Sequence, residues 1–318
     1  MTSITARKGG PGLDPGLPAS PSLRGRRRPG EALVKLALRV AAGITVVTTL
    51  GIVVALLVPS LGFFAEVPLT DFLLGDRWAP RFAEASFGVL PLVTATLWTT
   101  VISLVVAVPL GLGAAILLSE YASARLRKVL KPLLEILAGV PTVVYGFFAL
   151  QFVQATVLRE WLQLPTGAFS VLAAGLVMGI MIIPTIASIS EDAMSAVPQA
   201  LRQGSAALGA NRMQTTVRVV FPAALSGIIA AVVLGVSRAV GETMIVAIAA
   251  GNQAVMVSDP LQQGQTMTGF IANAALGDSR VGSLEYDTLF AVGLLLFCIT
   301  LGINAISIAL VRRFREAY

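Results

Sequence analysis

The sequence contains no histidine, a single cysteine (Cys298) and only four lysines among its 318 residues. Without histidine there is no Ser-His or Cys-His catalytic pair and no imidazole metal site. One cysteine forms neither an intrachain disulfide nor a thiolate cluster, so cysteine usage says nothing of redox compartment. No Gly-Lys-Ser or Gly-Lys-Thr surrounds Lys8, Lys35, Lys128 or Lys131. A phosphate-cradling P-loop is therefore absent, and this chain is not expected to bind or hydrolyse ATP. No cofactor and no metal are implied. Charge is scarce altogether: 13% of residues carry one, against roughly 25% in a soluble globular domain.

What is present is apolar. Hydrophobic residues make up 56% of the chain before its 30 glycines are counted, and the mean hydropathy is +0.83. So little charge could not cover a soluble core, and the chain reads as an all-α, multi-spanning membrane protein. Uncharged intervals mark the expected spans: Val40–Val58, Ala85–Ser119, Ile136–Leu158, Trp161–Ser190, Val219–Ser237 (apolar on past Glu242 to about Gly251) and Thr288–Val311. A bilayer core needs roughly 20 apolar residues per helix, which gives six transmembrane helices.

The net charge of +6 is explained by where the basic residues lie. Eighteen fall in the N-terminal segment, the loops after the second and fourth spans and the C-terminus, through Arg315. Arg77, Arg81, Arg159 and Arg280 fall on the opposite side, and Arg238 lies within a span. The positive-inside rule then puts both termini in the cytoplasm, with the protein in the cytoplasmic (inner) membrane. Nucleic acid is not an expected partner. Residues 1–33 read as a disordered basic cytoplasmic tail, Pro/Gly/Ser-rich, with the Arg24–Arg28 cluster against anionic lipid. Residues 34–318 read as the membrane domain. The two larger outer loops, about Pro59–Glu84 and Gly251–Asp287, read as short interfacial helices, a docking rim or ordered connectors.

The cytoplasmic loop at about 191–222 is the most informative stretch. Pro198 opens a helix over Gln199–Leu208, Gly209 suits a turn that needs positive φ, and Asn211 caps a second helical segment running through Val219, Phe221 and Pro222. This loop resembles the EAA loop of ABC-importer permeases, in which Glu-Ala-Ala is followed by three residues, Gly, nine residues and Ile-x-Leu-Pro. Gly209 holds the glycine position, while Gln203, Gly204 and Ser205 stand where the family has Glu-Ala-Ala. Two further stretches, Leu137–Leu150 and Arg238–Met244, are similar to permeases of the phosphate-specific ABC importer. Met244 and Gly251-Asn252 resemble the PstC type more than its PstA partner.

The resemblance implies the type I ABC importer permease fold and a role as transmembrane subunit in phosphate import. It implies four partners besides lipid: a PstA-type permease, a PstB-type ATPase dimer, a PstS-type phosphate-binding protein, and phosphate itself. The ATPase would dock on Gln203, Gly204, Ser205, Ala206, Gly209 and Pro222. A permease for another oxyanion (sulfate or molybdate) and an ATP-independent channel or secondary transporter remain as alternatives.

Independently of any resemblance, Arg238 and Glu242 need an explanation. Four residues apart on a helix they would share a face and pair, and an arginine in hydrocarbon costs about 2.5–3.5 kcal/mol on insertion scales. They read either as a structural lock or as a substrate path in which Arg238 meets the anion. Glu135 reads as an interfacial residue or the partner of a loop lysine. Pro109, Gly111, Gly113, Gly139, Pro141 and Pro184 interrupt regular helix and place the path near the second to fifth spans.

Overall fold

The structure, a computed structural model, describes residues 29–277 and 279–313. Arg24–Arg28, Asp278 and Arg315 lie outside them, and the segment assigned to the tail is already helical from Pro29. The chain forms two compact units, divided between Ile52 and Val53. The described part of the first is the start of α1 (Pro29–Glu66), whose described side chains to Ile52 are exposed on every side and, after Arg39, apolar but for Thr45, Thr48 and Thr49. A helix apolar all round belongs in a membrane rather than in water.

The second unit takes in the rest of α1, then α2 (Leu69–Leu74) and a small antiparallel hairpin, β1 (Trp78–Ala79) and β2 (Ser86–Phe87), with Trp78 opposite Phe87. Next come α3 (Leu90–Ile116), which runs into a π-helical turn at Leu117–Tyr121, and α4 (Ala124–Gly139). α5 (Thr142–Phe148) continues as a π-helix to Trp161 and is followed by α6 (Val171–Ser195). The docking loop holds α7 (Gln199–Ala207), α8 (Arg212–Thr215), a π turn at Thr216–Val220 and α9 (Phe221–Ala223). α10 (Leu225–Gly241), α11 (Met244–Ala249), α12 (Met267–Ala275) and α13 (Leu284–Arg313) complete the order.

Among the described residues, five segments are long and apolar enough to cross a membrane: Leu33–Glu66, Leu90–Tyr121, Thr142–Trp161, Val171–Ser195 and Leu284–Arg313. The sixth expected span is a bent pair, Arg212–Ala223 and Leu225–Gly241, meeting at 71°. α10 has 17 residues, about 25 Å of helix, so it is short beside a hydrocarbon core of ~30 Å.

Boundaries moved where backbone chemistry overrode hydropathy. The third span begins at Thr142 rather than Ile136, because Pro141 lacks an N–H and holds Val140 extended (ψ 130°). Ile136–Gly139 instead end α4, in which no residue is buried. The fourth begins at Val171, after Gln163 (φ 49°) and an irregular stretch, where the Ser170 side chain accepts from the Ala173 N–H.

α3 and α6 form the centre of the bundle. A Cβ on Gly111 would lie 2.9 Å from Ile186, on Gly175 2.8 Å from Ile102, and on Gly179 2.8 Å from Val106. Absent side chains let the two backbones approach, the usual means of tight helix packing where lipid offers no hydrophobic drive. The two larger outer loops hold the short helices α2 and α12. Phe63, Phe72, Trp78 and Phe270 cluster there edge to face, with centroids 4.9–6.3 Å apart. The stretch after α11 is an ordered connector, closed by Gly264 N–H to Ala250 O and Gln265 N–H to Gln253 O, both 2.9 Å.

Candidate functional site

Arg238 lies in the last turn of α10, and its Nη1 donates to Thr185 Oγ1 of α6 at 3.1 Å. Thr185 follows Pro184, inside α6. The expected pairing of Arg238 with Glu242 is not formed, and among the described residues no carboxylate lies within ion-pair distance of Arg238. The reason is the backbone. α10 ends at Gly241, and Glu242 is extended (φ −66°, ψ 132°), so the four-residue spacing no longer places both side chains on one helix face.

Glu242 is buried and otherwise engaged. Its Oε1 accepts the N–H groups of Met244 at 3.1 Å and Ile245 at 3.3 Å, satisfying the start of α11. Its backbone carbonyl accepts the Thr268 hydroxyl at 2.6 Å, from the first turn of α12. Non-helical backbone between two apolar helices needs such partners, because lipid supplies none. Arg238 is thus a cation in a spanning helix with a hydroxyl partner, and Glu242 is the acceptor that stabilises a helix break four residues on.

The loop at 191–222 follows its sequence signals closely. Pro198 is the N-cap residue of α7, Gly209 has φ +82°, and Asn211 forms a reciprocal capping box with Gln214, both bonds 2.9 Å. Gln203, Gly204 and Ala206 are exposed along α7, as are Gly209 and Pro222 beyond it, and Ser205 is half-buried with its hydroxyl 2.9 Å from that of Thr215. Leu208 is 90% exposed and Met213 67%. An apolar, small-residue surface of this kind lacks a partner within the described residues and suits a groove on another protein.

Four contacts were not foreseen. Arg202 pairs with Glu120, 82 positions earlier, and donates to Met194 O at 2.7 Å. Lys131 pairs with Glu191 at 2.7 Å and Asp192 at 3.1 Å. Hydrogen bonds to Glu191 and then Asp192 hold the Lys131 ammonium above its ordinary pKa. Lys131 is therefore the loop lysine with acidic partners, and no ion pair of Glu135 is present among the described residues. Glu135 instead lines a cavity of about 200 Å³ with Lys131, Thr185 and Glu191. Glu120 and Glu191 were visible in the sequence as charges ending apolar runs, and a charge at a span's end needs a partner.

Five spans, a bent sixth and a helix–glycine–helix element at one end define an integral-membrane transport component. The fold is that of solved type I ABC importer permeases. One chain of a bacterial alginate ABC transporter in complex with an alginate pentasaccharide-bound periplasmic protein superposes with a TM-score of 0.64 at 14% identity, covering 90% of this chain and 96% of that one. A chain of the MetNI methionine ABC transporter, in an inward-facing conformation, gives 0.54 at 20% identity over 72% of this chain and 95% of that one. The family of binding-protein-dependent transport system inner membrane components matches residues 107–316, and the chain belongs to that family. Among its relatives are a probable ABC transporter permease protein, YqgH, of Bacillus subtilis, 38% identical over 86% of this chain and 89% of the relative. The phosphate transport system permease protein PstC of Mesorhizobium japonicum is 32% identical over 87% and 88% respectively.

Proposed function

We propose that this chain is a PstC-type transmembrane permease subunit of an ATP-driven importer, and that its substrate is inorganic phosphate. The observation that carries the substrate reading is Arg238, a guanidinium in a spanning helix whose near partner is the Thr185 hydroxyl and not a carboxylate. Guanidinium offers a planar fork of donors and no acceptor, which matches a phosphate oxyanion and leaves a structural lock without its second half. Relatives named as phosphate permeases support the same substrate.

In this reading the eighteen basic residues on one side set the termini and α7–α8 in the cytoplasm of an inner-membrane protein. A PstS-type binding protein delivers phosphate at the opposite face, and a PstA-type permease completes the pathway. A PstB-type ATPase pair docks on Gln203, Gly204, Ser205, Ala206, Gly209 and Pro222, and its closure on ATP moves the α7–Gly209–α8 element. Thr185 holds Arg238 as the anion passes. Glu242 contributes by keeping α10 open at its end, so that Arg238 stands beside a break rather than within a continuous helix. One arginine, not a closed cage, binds weakly enough for release, as conduction requires.

The purified permease complex should co-isolate with the ATPase, and phosphate-loaded binding protein should stimulate hydrolysis where sulfate-loaded protein does not. Equal stimulation by sulfate would replace phosphate with a broader oxyanion specificity. Transport with no ATPase in the preparation would overturn the importer reading.

A further inference from the structure

The docking loop packs Val197, Leu201 and Val220 near Ala115 and Ile116 at the end of α3, and its charged contacts gather on the turn that follows. α7 has no fully buried residue, so apolar packing alone does not fix it. Its Arg202 pairs instead with Glu120, in the π turn that ends α3 at Leu117–Tyr121, and the two side chains are only 15% and 8% exposed. On the next residue of that turn, the Arg212 guanidinium of α8 lies over the Tyr121 ring at 5.0 Å. Arg127 of α4 donates its Nε to Leu118 O at 2.9 Å and its Nη2 to Ser119 O at 3.0 Å. Three arginines from three elements therefore close on five residues. The turn is wound more widely than α-helix, with Ala122 N–H reaching back to Leu117 O at 2.7 Å, and such turns recur at functional positions.

What lies beyond the turn connects it to the path. α3 is its direct continuation and packs closely on α6, where Gly111 faces Ile186, Gly175 faces Ile102 and Gly179 faces Val106. α6 carries Thr185, the partner of Arg238. Close-packed helices pass displacement on because they do not compress.

We propose that the Leu117–Tyr121 turn is the joint between the docking loop and the spans, with Arg202 and Glu120 as positioning residues that make a push on α7 move α3. This rests on the importer reading above. The pair is buried, so neither member can be lost without leaving the other short of a partner. It acts through the ATPase's work and touches neither nucleotide nor phosphate.

The test uses the full complex in proteoliposomes, comparing wild type with Arg202→Gln, Glu120→Gln and the double variant, and reading phosphate moved per ATP hydrolysed. In each single variant the ATPase should still co-isolate and hydrolyse ATP, while phosphate moved per ATP falls at least fivefold. The double variant should be no worse than either single one, since both lose the same contact. Arg202→Lys should recover part of the ratio. An unchanged ratio in both single variants overturns the proposal, as do losses that multiply in the double variant. Loss of ATPase co-isolation in the variants also overturns it, because the pair would then only shape the docking surface. If wild type itself carries no ATPase, the importer reading fails, and this proposal with it. Should Arg202→Gln not reach the membrane, Glu120→Gln, of nearly unchanged size and neutral, decides on the same ratio.

Discussion

A carboxylate four residues after an arginine is expected to pair with it, and Glu242 departs from that expectation because the helix beneath it ends. Its Oε1 takes two backbone N–H groups of α11, and its carbonyl takes the hydroxyl of Thr268, which lies 26 positions further along the chain. The consequence is testable. Glu242→Gln keeps a side-chain oxygen for the cap and should retain phosphate uptake within about threefold. Glu242→Ala removes the cap, a loss of ~1 kcal/mol or more at a buried site, and should lower the maximal rate severalfold with little change in KM. Uptake kinetics in cells expressing each variant separate the two; equal loss in both would return Glu242 to a role played by its charge. In the sequence, Gly209, Asn211 and Pro198 were legible because each acts within three or four residues of itself. The break at Glu242 was not, because one of its partners comes from α12.

At the scale of elements, Gly111 and Gly113 looked alike in sequence, two glycines in one span. Packing separates them: a Cβ on Gly111 would lie 2.9 Å from Ile186, while nothing lies within 4 Å of one on Gly113. Gly111→Ala should destabilise the α3–α6 contact by roughly 1–3 kcal/mol. Gly113→Ala should be neutral or stabilise the helix by about 0.5–1 kcal/mol. Thermal unfolding of the detergent-solubilised permease checks both, and equal midpoints would contradict the close packing assigned to α3 and α6. The number of spans was legible from uncharged intervals, but their ends were not. Hydropathy does not register that Pro141 cannot continue α4, nor that Ala224 bends the entry to α10. The pairing of Glu120 with Arg202 and of Glu191 with Lys131 was equally hidden, since each joins residues 60 or more positions apart.

Over the whole molecule, scarcity of charge is the organising fact. In the proposed topology most of the basic residues set orientation, and among the described residues Arg202 and Lys131 pair with Glu120 and Glu191 where apolar runs end. Arg238 alone among the basic residues was assigned to the interior of a span by sequence, and the structure leaves it with a hydroxyl partner. The fold is shared with permeases whose names carry alginate and methionine, so the fold by itself does not choose the substrate. In the function proposed above, that choice falls first to this arginine. The most direct measurement is phosphate uptake by proteoliposomes holding the complete complex, with Arg238→Gln beside wild type. The variant should insert, retain its ATPase and lose uptake by at least roughly tenfold, the weight of one charge-assisted hydrogen bond. Wild-type uptake kinetics in Arg238→Gln would contradict the account.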